Sequence, residues 1–136
     1  MIAHLIARII LLPFLVFISI HDIKTKKIPN WVHPILLCAA VFVSDIGPPA
    51  RLLGACISSI PCFLYSHFTK KMGMGDVKLI FSFGWCIGFL NIFATAAANL
   101  IFIITTFRQK NEPIPFAPYL CGAFGIFLFL PYILML

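Results

Sequence analysis

The chain has 136 residues, 62% of them hydrophobic and only 10% charged, with a formal net charge of +6. Its mean hydropathy of +1.07 lies far from the roughly half-apolar, quarter-charged composition of soluble domains, which excludes a soluble globule and a disordered chain. No segment alternates like an outer-membrane barrel strand. The long apolar runs therefore predict an all-α polytopic membrane bundle of about six transmembrane helices, a single domain over residues 1–136.

The first apolar run predicts a helix from about Ile2 to Ile20. It lacks a basic leading region and a small-residue cleavage site, so it reads as a retained helix and not a signal peptide. A polar loop from His21 to Asn30 follows, then a helix from about Trp31 to Val43 with Asn30 as N-cap after Pro29. A connection holding Asp45, Gly47, Pro48, Pro49 and Arg51 leads to a helix over about Leu52 to Phe68, with Pro61 expected to kink it. After the loop Thr69 to Gly75 comes the apolar stretch Leu79 to Phe107. As one helix it would measure about 43 Å, well beyond a bilayer core of about 30 Å. The basic residues argue for a break near Gly88–Asn91. With that break, Lys24/Lys26/Lys27, Lys70/Lys71/Lys78 and Arg108/Lys110 share one side, as the positive-inside rule favours. The loop Arg108 to Pro115 and a last helix over about Ala117 to Leu136 complete the chain, with both termini outside and the basic loops in the cytoplasm. This use of basic residues as topology signals leaves no role for nucleic acid.

The five cysteines form no C-x-x-C pair and read as small buried hydrophobes. His21, Asp22 and His67 lack ligand spacing, so no metal or other cofactor is expected. Gly84 and Gly88 make a G-x-x-x-G spacing, expected to be a close helix-packing face inside the bundle.

Carboxylates near a membrane are costly, and the chain has four acids. Asp45 falls in an outer turn and Glu112 in a polar loop. Asp22 and Asp76 differ: the first closes helix 1 and the second opens helix 4, so the topology puts both at the same face. Two adjacent carboxylates share a proton. One then serves as general base on water while the other polarises a carbonyl, which is aspartic-protease chemistry. A plainer reading stays open for each. Asp76 follows Gly73-Met74-Gly75 like a helix cap, and Asp22 has Lys24 and Lys26 as solvated partners.

The flanking residues carry a resemblance. Asp22-Ile23-Lys24-Thr25-Lys26-Lys27-Ile28-Pro29-Asn30 resembles the D-x(5)-I-P-N segment of type IV prepilin peptidases. Gly73-Met74-Gly75-Asp76-Val77-Lys78 resembles their G-x-G-D-x-K motif, which marks a wider class of membrane aspartic proteases. Ile114-Pro115-Phe116-Ala117-Pro118 resembles their P-F-G-P segment, with Ala117 where the glycine stands. A left-handed backbone there would strain an alanine.

The resemblance covers essentially the whole chain and implies an aspartic endopeptidase with Asp22 and Asp76 as the catalytic pair. Its substrates would be prepilins or pseudopilins, single-pass helices with a basic leader removed at the cytoplasmic face of the bacterial inner membrane. It also implies a compact form, without the N-terminal zinc-binding domain that accompanies methyl transfer, so peptidase activity alone is expected. Around the pair, Gly73 and Gly75 are expected to form a close-approach turn. Lys78 would meet the pair or substrate, or else snorkel to the interface. Pro29 and Asn30 would shape the loop, and Pro115 and Phe116 the peptide groove or a plain re-entry turn. Two rival readings are an ion-coupled transporter, which expects acids near the bilayer midplane, and a non-enzymatic pilus or secretion assembly subunit.

Overall fold

The computed structural model of the protein describes residues 2–70, 72–106 and 114–135. Among these the fold is all-helical: α1 (Ile2–Thr25), α2 (Val32–Val43), α3 (Pro48–Thr69), α4 (Met74–Ile87), α5 (Leu90–Thr106) and α6 (Ala117–Met135). Lys71, Arg108 and Lys110, which the topology argument used, and Glu112, read as a loop acid, lie outside the described residues. The expected break in the fourth apolar stretch is present, because Gly88 adopts φ +60°, a backbone that an L side chain resists. Its N–H closes α4 on the Gly84 carbonyl at 2.8 Å.

Three helices, α1, α3 and α6, are long and apolar enough to cross a bilayer, and α2 and α5 are shorter apolar helices. The broad apolar surface outside the core, including Phe42, Phe63, Phe93 and Ile104, is what a lipid-facing bundle requires. The chain is a membrane protein.

Several boundaries move from the expected ones. α1 continues through Asp22 to Thr25, where the Lys26 N–H caps the Asp22 carbonyl at 2.7 Å with Lys26 at φ 54°. α3 starts at Pro48 because prolines suit the first helical positions, and it runs unbroken through Pro61. Asn30 is not the cap of α2. Trp31 precedes the helix in helical geometry, without a side-chain cap bond. α4 opens at Met74, with Gly73 as its cap, so Asp76 lies in its first turn.

The chain alternates between two ends. At one end the C-termini of α1, α3 and α5 meet the N-termini of α2, α4 and α6, together with Lys24, Lys26, Lys27, Lys70 and Lys78. The opposite end is tied by two arginines. Arg8, buried in α1, donates from Nε to the Val43 carbonyl (3.1 Å), from Nη1 to the Leu128 carbonyl (2.8 Å) and from Nη2 to Asp45 (3.0 Å). Its guanidinium also lies 4.7 Å from the Tyr132 ring centre. Arg51 donates to the carbonyls of Ile46 and Ser44 at 2.6 and 2.9 Å, closing the end of α2. Asp45 is thus an ion-pair partner, where the sequence suggested only a solvated turn.

The tightest crossing joins α3 to α4. A side chain at Gly84 would run into the Ala55 backbone, and one at Gly54 into the Gly88 backbone. The G-x-x-x-G face is internal to the bundle, as expected, and its partner is the Gly54-Ala55 step. On the far side of α4, Phe83 stacks on Phe124 of α6, with ring centres 3.9 Å apart. Because backbone meets backbone at Gly84, Gly84→Ala is expected to cost about 1–3 kcal/mol, read as a lower midpoint of thermal unfolding in detergent. Gly122→Ala, where an added Cβ meets nothing within 4 Å, is expected to leave that midpoint unchanged.

Candidate active site

The two candidate acids stand at the basic end. Asp22 is delivered by the last turn of α1 and retains only 5% of its accessible surface. Its Oδ2 accepts the Ala117 backbone N–H at 3.2 Å. That amide is one of the unpaired donors at the start of α6, so the helix end that most favours an anion faces this carboxylate. Asp76, half-buried in the first turn of α4, occupies the equivalent favourable position on its own helix.

Burial pushes the Asp76 carboxyl up, and the charge on Asp22 adds to that rise. The pair is therefore mutually repulsive when fully ionised. α1 and α4 do not pack on each other: α2 and α6 each touch both. α2 and α6 thus bridge the two helices that carry the carboxylates.

The G-x-G step fits this arrangement without an unusual backbone. Gly73 has φ −69°, and an added Cβ there would lie 3.3 Å from Asp76 Oδ2, so the carboxylate would have to shift by a few tenths of an ångström. A Cβ on Gly75 would meet Ile28 at 3.4 Å, so the loop before α2 leans on this turn. Pro29 helps shape that loop through its carbonyl, which accepts the Val32 N–H at 3.2 Å, and Asn30 is exposed in it.

The third motif also arrives at the site. Phe116 is buried, its ring edge-on to Phe102 at 5.2 Å, and its carbonyl accepts the first amides of α6. Pro115 is half-buried beside it. Ala117 is fully buried without a positive φ, so alanine there is unstrained. Lys78 is exposed and forms no ion pair with either aspartate among the described residues. His21 holds the α1–α2 loop through the Lys27 carbonyl at 3.1 Å. His67 stacks on Phe63.

A cavity of about 530 Å³ opens beside Asp76, walled by Pro61, Cys62 and Tyr65 of α3, Asn99 and Phe102 of α5, and Phe116. The sequence reading missed Asn99 and Tyr65. Their helical spacing is that of ordinary membrane-helix residues, and only the pairing of α3 with α5 aims them at one space.

Asp22 is the sole acceptor aimed at the Ala117 amide among the described residues. Asp22→Leu leaves that buried N–H unpaired and is expected to cost about 1–3 kcal/mol, whereas Asp22→Asn keeps an acceptor and is expected to stay within about 1 kcal/mol of wild type. Thermal unfolding of both variants in detergent checks the difference.

A family model described as the type IV leader peptidase family matches residues 9–107. The chain is 31% identical over 139 residues to a protein of Xanthomonas campestris pv. campestris named prepilin leader peptidase/N-methyltransferase, covering 89% of this chain and 48% of that protein. It is 28% identical over 142 residues to a Burkholderia pseudomallei protein of the same name, covering 90% and 46%. The chain thus spans about half the length of the curated relatives it matches. No solved structure matches it.

Proposed function

Since the chain belongs to the type IV leader peptidase family, we propose that it is an aspartic endopeptidase that removes the basic leader of type IV prepilins or pseudopilins at the cytoplasmic face of the bacterial inner membrane. The observation that carries this reading is that Asp22 and Asp76 stand at the same end of the bundle, near enough for the charge of one to bear on the other, with Asp76 beside an accessible cavity.

In this reading one carboxylate is ionised and takes a proton from water as that water attacks the scissile carbonyl. The other, protonated, donates a hydrogen bond to the carbonyl oxygen. The C–N bond then breaks as the leaving nitrogen receives the proton that the first carboxylate took from the water. The two aspartates titrate as a unit. No covalent intermediate is required. Gly73 leaves room for the Asp76 carboxylate, Gly75 lets the Ile28-Pro29-Asn30 loop close against the turn, and Phe116, set by Pro115, forms one wall of the peptide groove. Lys78, free of the acids, snorkels to the interface or meets the substrate's polar segment.

The lysines at the same end as the acids support a cytoplasmic site. They also suit a substrate whose basic leader is held by anionic lipid headgroups instead of by this surface. The transporter alternative expects acids in the middle of the membrane. Here they lie in the last turn of one helix and the first turn of another, which favours a peptidase working at a membrane boundary.

Co-expression of a type IV prepilin with the full chain tests the reading. Wild type and Asp45→Asn are expected to remove the leader, while Asp22→Asn and Asp76→Asn each lower the rate by at least about a hundredfold without loss of folded protein. Leader removal that survives in either dyad variant rejects the mechanism.

A further inference from the structure

Three grooves run along the flanks of the bundle. One lies between α1 and α2, lined by apolar residues such as Leu11, Phe14 and Ile35. One lies between α1 and α6 and is lined by residues such as Leu15, Gly125 and Ile126. Neither has an acid in its wall. The third is the cleft between α3 and α5, and it differs in three respects.

First, Asp76 forms part of its lining, so chain seated there is already beside a candidate catalytic carboxylate. Second, the cleft opens sideways. α3 and α5 are joined toward the opposite end, where Asn91 Nδ2 donates to Ser58 Oγ at 2.6 Å and to the Ile80 carbonyl at 2.9 Å. Nearer the basic end they leave the cavity between them, and Tyr65 and Ile103 at its rim lie on the exposed surface. Pro61, which removes one amide from the α3 hydrogen-bond ladder, forms part of the wall.

Third, Asn99 is half-buried in the wall of this largely apolar cleft and makes no hydrogen bond to any described residue. An unpaired amide among apolar groups is unfavourable. A carboxamide carries an NH2 donor and a carbonyl acceptor, so it can donate to the C=O or accept from the N–H of a peptide unit whose own helical bonds have been opened. A closed helix offers no such unit, and neither does a lipid tail.

We propose that the cleft between α3 and α5 is the lateral entry for the apolar segment of the substrate, and that the Asn99 amide pairs with its backbone, holding one unwound peptide unit in front of Asp76. The proposal rests on the peptidase reading and adds to it a route and a substrate-binding residue. The occupant is the start of a single-pass apolar segment, because that is the stretch that can lie in the bilayer-facing cleft while the polar leader stays outside.

The test uses the full chain carrying Asp22→Asn, to hold substrate uncut, with photoreactive benzoylphenylalanine placed singly at Ile103, Ile35 or Ile126, one for each groove. Each is co-expressed with a type IV prepilin and irradiated in membranes. The expected result is an adduct that is strongest at Ile103. An adduct strongest at Ile35 or Ile126, or none at any position, overturns the lateral entry. In the active chain, Asn99→Leu is expected to raise KM by at least about tenfold with little change in kcat and an unchanged unfolding midpoint, and Asn99→Gln to restore most of the loss. Asn99→Leu with wild-type kcat/KM removes Asn99 from the proposal. If the wild-type chain leaves the prepilin whole, the peptidase reading fails. If it cuts while the adducts form elsewhere, the cleft alone fails.

Discussion

A carboxylate withdrawn from water inside an apolar bundle is the constraint to which much of this structure answers. Asp22 keeps almost no solvent contact, and an isolated charge there would cost several kcal/mol. The compensation is one backbone amide, supplied by the first residue of α6 from the far end of the sequence, with the partial positive charge of that helix end behind it. This single bond explains why the chain re-enters the bundle where it does. It also explains why Ala117 is completely buried and why Phe116 is clamped against Phe102 immediately before it. A second carboxylate, Asp76, is held near enough for the charge on Asp22 to bear on it, an arrangement that stability alone would not select.

The opposite end supplies the rigidity that such an arrangement needs. Arg8 reaches α2, α6 and the turn after α2 through four separate interactions, and the glycine–alanine crossing brings α3 and α4 into backbone contact. Arg8 and Asp22 are 14 positions apart on one helix, about 21 Å along its axis. One end is thus tied by arginines to carbonyls while the other is left with a cavity. Structural and chemical duties are separated along the helix axis.

Much of this was legible in the sequence, and for physical reasons. Six apolar runs, the break at Gly88 and the shared end of the two acids all follow from the cost of placing charge or kinked backbone in lipid. The three short motifs do converge at that shared end. Helix ends were read less well. α1 was expected to stop before Asp22 and instead carries it, because the cap is a lysine in left-handed backbone that no propensity signals. Asn30 looked like a cap and is not one, since Trp31 already has helical geometry. The anchoring role of Arg8 carries no local signal, because its partners, Val43, Asp45 and Leu128, are remote in sequence. Asn99 was invisible for the same reason: nothing local distinguishes an amide facing a cleft from one facing a neighbouring helix.

The separation of α1 from α4 by α2 and α6 has a mechanical corollary. No direct contact between their two carriers sets the spacing of the carboxyl groups; the girth of the whole bundle does.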